Sequence, residues 1–169
     1  NESSKSFGSS TIVIAIEAIK MKDSKYLCFT DNGREHTGID AIDWAQEVQE
    51  RGAGEILLTS IDREGTGKGP DLKLISQITD KVEIPVISHG GFSSENHISE
   101  SYNAGSDAVA IASMLHYPLI YEDKIFDKKV ENEGNTEFIS KKNSYKMFKS
   151  NKISSIKKYL SNNNISVRV

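Results

Sequence analysis

Four short, continuous apolar runs constrain the fold of this 169-residue chain more than any other feature. They span residues 11–16, 55–59, 84–88 and 107–112. Runs that are apolar throughout, instead of alternating with polar residues, are typical of parallel strands that are buried on both faces. The sequence therefore predicts four parallel strands.

The segments between these runs carry apolar residues at the three- and four-residue spacing of amphipathic helices. Asp40 is the predicted N-cap of the first helix, and Gly52 lies where a C-terminal glycine is favoured. The predicted helices cover residues 40–51, residues 72–78, a segment from 93 or 94 to 102, and residues 154–160. A strand followed by a helix, repeated four times, predicts a parallel α/β fold.

The charge balance and the single cysteine exclude several classes of protein. The chain has 21 Lys and Arg against 24 Asp and Glu, a formal net charge of −3, which argues against a general nucleic-acid binder. No apolar run approaches the roughly 18–20 residues of a membrane span. Cys28 is the only cysteine, so we expect no disulfide framework and a reducing, cytoplasmic location. The sequence shows no targeting signal, and we expect no membrane partner.

Residues 118–152 interrupt the strand–helix rhythm. They are rich in Lys, Glu, Asp and Asn, and they contain a turn-like Asn-Glu-Gly-Asn sequence at 132–135. We expect a single domain over residues 1–169 with a solvated surface insertion at 118–152. A flap or a partner-binding element is the alternative interpretation of this segment.

The loops that follow the last three apolar runs are suited to binding an anion. The loop at 59–69 combines two carboxylates, an arginine and three glycines, but it matches neither a Walker P-loop nor a GxGxxG motif, and a flexible turn is the alternative. The loop at 88–93 carries a glycine pair before a predicted helix start, and the loop at 112–116 begins with small residues. Anion-friendly loops after the last two strands are typical of the phosphate site of (β/α)8 barrels, unless these glycines only form tight turns.

Glu17 follows the first apolar run and is the candidate general acid–base, because a carboxylate at a strand end faces a cleft that can desolvate it. The alternative is an ordinary ion pair with Lys20. Glu55 lies at the opposite end of its strand, where structural roles are more usual. His89 is the only histidine on a candidate catalytic loop. The remaining histidines lack ligand spacing, so we expect no metal and no cofactor.

The segment RGAGEILLTSIDREGT at 51–66 resembles, with high specificity, the cyclase subunit of imidazole glycerol phosphate synthase, the HisF family. The resemblance extends over most of the chain outside 118–152. It is also carried by Phe7-Gly8-Ser9, VIAIEA at 13–18, PVIS at 85–88, the glycine pair at 90–91, AGSDA at 104–108, ASMLH at 112–116, KKYL at 157–160 and Val167-Arg168.

This resemblance implies a (β/α)8 barrel of which the chain covers the last four strand–helix units. Such barrels have about 250 residues and eight strands. A half-barrel leaves apolar strand edges open. We therefore expect a fragment, or a chain that is stable only with an N-terminal half-barrel or a second copy.

The resemblance also implies the chemistry. In the family, a partner glutaminase subunit releases ammonia, which reacts with a bis-phosphorylated ribulosyl aminoimidazole carboxamide nucleotide to give imidazole glycerol phosphate and aminoimidazole carboxamide ribotide. One of two catalytic aspartates aligns with Glu17, where an added methylene puts the rate in question, since about 1 Å of misplacement can cost about a hundredfold. Glu55 matches the family's charged residue at the ammonia gate. The implied substrate and phosphate contacts are Thr59, Glu64, Gly65, Gly90, Gly91, Ala112 and Ser113.

Three functional interpretations follow from these residues. The first is a histidine-pathway cyclase that uses Glu17 in place of aspartate. The second is a HisF-like paralogue that supplies ammonia to a sugar amidotransferase in surface-polysaccharide synthesis. It is favoured by Glu17, by His89 in place of the usual serine, and by the insertion. The third is an inactive fragment or scaffold.

Overall fold

A computed structural model describes residues 1–122 and 152–168 of the chain. Helices and strands alternate along most of it. The helices are α1 (Glu2–Phe7), α2 (Ala41–Glu50), α3 (Leu72–Thr79), α4 (Glu95–Asn103), α5 (Ser113–Glu122) and α6 (Ile153–Asn162), and a 3₁₀ turn covers Ser9–Thr11. The strands are β1 (Val13–Lys20), β2 (Tyr26–Thr30), β3 (Glu35–Asp40), β4 (Glu55–Ser60), β5 (Val86–His89) and β6 (Ala108–Ala110).

The six strands form one mostly parallel sheet in the order β3-β2-β1-β4-β5-β6. The pairs β1–β4, β4–β5 and β5–β6 are parallel, so the four predicted strands are confirmed. The four predicted helices are confirmed as α2, α3, α4 and α6, while α1 and α5 were not expected. This mixed α/β architecture is that of a (β/α)8-barrel family member.

The expected count of four strands was wrong, because β2 and β3 form an antiparallel hairpin beside β1. The hairpin turns at residues 31–33, where Asp31, Asn32 and Gly33 all have positive φ. Short polar residues and glycine tolerate this conformation, so Asp-Asn-Gly was a turn signal in the sequence. The turn alone does not predict a hairpin, because β3 is exposed almost throughout and carries no apolar run.

Alternation along the four parallel strands separates two faces. We call the face that packs on α2 and α3 the covered face. Its side chains include Ile16, Ile56, Leu58 and Val86, each at most 1% exposed. Apolar residues of α2, α3 and β2 complete this core, and a second cluster joins α4, α5 and α6. Most of the buried apolar surface of the sheet is therefore on one side.

We call the opposite face of these strands the inner face. Its middle row consists of Ala15, Leu57, Ile87 and Ala108, which are paired in register across all four strands. Ala15 and Ala108 are exposed, and Val13 at the start of β1 is 50% exposed. Within residues 1–122 and 152–168, no element covers this face as α2 and α3 cover the other.

The predicted insertion is only partly within the structure. Residues 118–122 form the second half of α5, a helix that continues through Pro118. Residues 123–151 lie outside the described residues, so the insertion stays a prediction. No helix within the described ranges is long and apolar enough to cross a membrane.

Candidate active site and anion pocket

The upper row of the inner face brings polar side chains onto neighbouring strands. Glu17 of β1 is in register with Thr59 of β4, Thr59 with His89 of β5, and His89 with Ala110 of β6. Because neighbouring strands lie roughly 4.8 Å apart, their side chains adjoin on the same face. Thr59 Oγ1 lies 3.2 Å from His89 Nδ1. The row therefore combines a carboxylate, a hydroxyl and an imidazole.

The sequence predicts that Glu17 ends its strand, but in the structure β1 continues to Lys20. Pairing with β2 through residues 18–20 extends β1 to Lys20. Glu17 nevertheless lies level with the end of β4, since its partner Thr59 immediately precedes Ser60. Its expected position at the carboxyl end of the parallel sheet therefore holds, although the strand continues beyond it.

An ion pair between Glu17 and Lys20 is not formed. The two residues are three positions apart on one strand, so their side chains point to opposite faces. The half-buried Glu17 carboxylate has no hydrogen bond or ion pair with any residue in the described part of the chain. It is therefore available to a ligand on the inner face.

The loop after β4 is internally hydrogen-bonded. The carbonyl of Ser60 accepts the N–H groups of Arg63 and Glu64, both at 3.1 Å. The hydroxyl of Thr66 donates to the Arg63 carbonyl at 2.7 Å. Asp62 Oδ2 accepts the N–H of Lys20 at 2.8 Å, which ties the loop to the end of β1. These hydrogen bonds favour a loop with one defined conformation over the alternative of a flexible turn.

The glycine pair after β5 locks this loop against its neighbour. Gly90 and Gly91 have φ values of 102° and 89°, a region that glycine adopts at little cost. A Cβ at Gly90 would lie 2.6 Å from the Ser60 carbonyl oxygen. The N–H of Gly69 donates to the Gly91 carbonyl at 2.8 Å. The glycines thus permit two loops to touch, which is more than a tight turn requires.

A small pocket of about 40 Å³ opens between the loops that follow β4, β5 and β6, which is space for roughly three water molecules. The backbone N–H groups of Gly65, Gly91 and Ser113 donate no hydrogen bond to any other described residue. Ser113 also begins α5, where the helix dipole favours an anion. The lining residues are Glu64, Gly65, His89, Gly90, Gly91, Phe92, Ala110, Ile111, Ala112 and Ser113.

The structure thus brings six predicted anion contacts into one pocket: Glu64, Gly65, Gly90, Gly91, Ala112 and Ser113. Thr59 does not line the pocket and reaches it through His89. The Glu64 N–H donates within its own loop and its side chain is exposed, so Glu64 shapes the turn that presents Gly65.

Glu55 lies at the other end of the sheet. It starts β4, is in register with Val13, and shares the inner face with Thr59. Glu55 and Thr59 are four residue steps apart along the strand, which at about 3.3 Å per step is roughly 13 Å. Glu55 is therefore on the same face as the upper row but distant from it.

A larger cavity of about 220 Å³ contains none of the predicted site residues. It lies near the amino end of β1, where Ile12, Ile14, Trp44 and Val48 give it a mainly apolar lining. The lining also includes Asn1, Ser3, Ser4 and Arg51, none of which is among the predicted site residues. In the described ranges, no group of three His, Cys, Asp or Glu residues is arranged to hold a metal ion.

A buried polar contact that the sequence does not predict holds the hairpin to the start of α3. The hydroxyl of Tyr26 on β2 donates to the Asp71 carboxylate, at 3.0 and 3.1 Å from its two oxygens. Asp71 also accepts the N–H of Leu74 and so caps α3. Burial, and then the hydrogen bond and negative charge of Asp71, raise the pKa of Tyr26 above its ordinary value. The two residues are far apart in sequence, so no local pattern predicted their contact.

Comparison with known proteins identifies the family. The histidine biosynthesis protein family matches residues 1–120. The chain is 51% identical over 114 residues to imidazole glycerol phosphate synthase subunit HisF of Pyrobaculum aerophilum, covering 68% of this chain and 45% of that protein. It is 46% identical over 117 residues to the subunit of the same name from Petrotoga mobilis, covering 69% of this chain and 46% of that protein. The chain thus spans about half the length of these curated relatives, and it belongs to the histidine biosynthesis protein family.

Proposed function

We propose that this chain is the second half of an imidazole glycerol phosphate synthase cyclase subunit and acts in histidine biosynthesis. The observation that carries the proposal is the upper row of the inner face, which sets the free carboxylate of Glu17 two strands from an anion pocket. An acid–base group beside a phosphate cradle suits a cyclisation of a phosphorylated substrate. The identity to HisF proteins supports the same function.

The other half of the barrel completes the site. β1 pairs with β2 only through residues 18–20, so residues 13–17 have an unpaired edge within the described structure. β6 has a strand neighbour on one side only among the described strands. A first half-barrel pairs with these two edges, covers the exposed inner face, and supplies the second catalytic carboxylate that the family uses. A second copy of this chain is the alternative occupant.

The pocket binds a phosphate of the nucleotide-like substrate. Gly65, Gly91 and Ser113 provide backbone N–H donors, and the start of α5 adds its positive dipole end. With one phosphate fixed there, the reacting part of the substrate extends over the inner face toward Glu17. Glu17 then transfers protons during ring closure and cleavage of the ammonia adduct.

Ammonia reaches this site along the inner face. Glu55 marks the entry, where a glutaminase subunit docks, and the upper row lies roughly 13 Å further on. The middle row between them is Ala15, Leu57, Ile87 and Ala108, which are apolar. An apolar passage offers ammonia no hydrogen-bonding group that would retain or protonate it. The buried free thiol of Cys28 fits a reducing cytoplasm as the location.

Ammonia-dependent turnover of the aminoimidazole carboxamide nucleotide tests the proposal. The assay uses the natural polypeptide that includes residues 1–169, with an ammonium salt and no glutaminase. We expect conversion to imidazole glycerol phosphate, and a loss of about 10²- to 10⁴-fold in kcat for Glu17→Gln, since the amide cannot exchange protons. Glu83→Gln, an exposed change on the loop before β5, is the matched control and keeps full activity.

The outcomes separate the candidate functions. Unchanged turnover in Glu17→Gln removes Glu17 from the mechanism. Absence of conversion by a folded protein that binds phosphate indicates the ammonia-supplying paralogue. The names of the relatives do not favour this alternative, whereas Glu17 and His89 do. Absence of both conversion and phosphate binding indicates an inactive scaffold.

A further inference from the structure

His89 occupies the junction between the upper row and the anion pocket. It is in register with Thr59 on one side and Ala110 on the other, and it is half-buried. His89 also lines the pocket with Gly90, Gly91 and Ser113. Of the four upper-row residues, His89 and Ala110 line the pocket, and of these two only His89 has a polar side chain.

One ring nitrogen of His89 is already occupied. Nδ1 lies 3.2 Å from the hydroxyl oxygen of the buried Thr59. Among the residues that the structure describes, Nε2 has no hydrogen-bond partner. When Thr59 donates its hydroxyl proton to Nδ1, the neutral ring carries its own proton on Nε2. The ring then presents a directed N–H donor.

We propose that His89 is a ligand-binding residue whose Nε2–H donates to the phosphate held in this pocket. The inference rests on the proposed function, which it extends by a side-chain donor beside the backbone donors of Gly65, Gly91 and Ser113. The backbone groups are neutral dipoles at fixed positions, whereas the imidazole reaches from the strand. Thr59 acts through His89 by holding its ring and its tautomer.

The surroundings of the pocket suit this role. Phe92, Ile111 and Ala112 are apolar, and Glu64, the one carboxylate among the lining residues, has an exposed side chain. An anion in the pocket therefore has few side-chain donors among the described residues, and each one counts. A hydrogen bond to a charged group contributes enough to change an equilibrium by at least about tenfold.

Titration of the natural polypeptide that includes residues 1–169 with inorganic phosphate tests the inference, followed by NMR of backbone amides and of imidazole ¹⁵N. Phosphate should shift the amides of Gly65, Gly91 and Ser113 together with the Nε2 resonance of His89. His89→Ala, which removes the side-chain donor, should raise the Kd by about tenfold or more. His89→Gln, whose amide nitrogen replaces Nε2, should recover most of the affinity. His36→Ala on the hairpin is the matched control and should bind as the wild type does.

The outcomes distinguish this inference from the proposed function. If phosphate shifts the three amides and His89→Ala binds equally well, His89 is no ligand and the pocket stands without it. If phosphate shifts the amides but not Nε2, the inference is likewise overturned. If phosphate shifts none of these signals in the wild type, both the pocket and the inference fall. Thermal unfolding of each variant, monitored by circular dichroism, identifies a loss of affinity that comes from unfolding.

Discussion

The covered face and the inner face of the same four strands differ in what their side chains do. Ile16, Ile56 and Leu58 on the covered face are at most 1% exposed and pack on two helices. Between them along the strands lie Ala15, Glu17 and Leu57 of the inner face, of which Ala15 is exposed and the other two half-buried. Alternation of side chains therefore assigns stability to one face and leaves ligand chemistry to the other.

The difference also explains why a chain that spans only about half of its curated relatives still has a core. The covered face is complete within the described residues, because α2 and α3 are supplied by the chain itself. The inner face has no such cover in the described structure. Residues of the two faces should accordingly respond differently to substitution, both in the chain alone and when a first half-barrel is present.

The largest expected effect compares two neighbours on β4. Ile56→Ala removes a fully buried side chain and should lower the free energy of unfolding by about 2–5 kcal/mol. Leu57→Ala, one residue on and facing inward, should cost less, about 1–2 kcal/mol in the isolated chain, since its side chain is only partly buried. Urea unfolding of the 169-residue chain measures both values.

Equal costs for the two variants would contradict the distinction between the faces. A complementary half-barrel sharpens the test. With this partner present, Leu57→Ala should become more costly, because the middle row is then buried, whereas the cost of Ile56→Ala should stay the same. An unchanged cost of Leu57→Ala would show that the inner face is not the surface that the partner covers.

The second prediction concerns the hairpin, which extends the covered face through β2. Tyr26→Phe removes the hydroxyl that donates to the buried Asp71 and should cost about 1–3 kcal/mol, because the carboxylate loses a partner without gaining water. Tyr102→Phe, at a 47% exposed position on α4, should change the free energy of unfolding by at most about 0.5 kcal/mol. Chemical denaturation of both variants provides the comparison, and equal costs would show that the buried contact is not stabilising.

Much of the fold was predictable because its signals are local. Continuous apolar runs identified β1, β4, β5 and β6, and caps such as Asp40, which accepts the N–H groups of Ile42 and Asp43, identified helix starts. The β2–β3 hairpin was missed because β3 has no apolar face to signal it. The predicted length of β1 was too short, because its last residues belong to the strand through their pairing with β2, which was itself not predicted.

The candidate site was predictable only as a set of loops. That strand ends converge follows from a parallel sheet, so the approximate location of Gly65, Gly91 and Ser113 was expected. The register of the strands could not be predicted, because no sequence pattern indicates that Glu17, Thr59 and His89 align. The contact of Thr59 with His89 depends on that register, as the contact of Tyr26 with Asp71 depends on the packing of distant elements.

The smallest expected effect concerns Cys28, which lies beside Tyr26 on the buried side of β2. Burial, and then the nearby charge of Asp40, raise the pKa of the Cys28 thiol from 9.0 to about 11. Because the thiolate is the reactive form, alkylation by iodoacetamide at pH 8 should be at least about a hundredfold slower in the folded chain than in urea. Mass spectrometry after timed quenching measures both rates, and equal rates would mean that β2 is not packed on the covered face.

The same shift fixes the direction of the alkaline response. Above pH 9 the unfolded thiol loses its proton while the folded thiol keeps it until about pH 11, so folding stability falls with rising pH in this interval. The loss should be on the order of 1 kcal/mol at pH 10. Cys28→Ala should show a correspondingly shallower decline between pH 8 and pH 10.

The raised pKa of Tyr26 adds a loss of folding stability of the same sign above its own ordinary value of 10.0. That part should survive in Cys28→Ala but vanish in Tyr26→Phe. Urea midpoints of the two variants therefore separate the two groups. A decline as steep in Cys28→Ala as in the wild type would exclude the thiol as a source of the pH dependence and assign it to the tyrosine–aspartate contact of the hairpin.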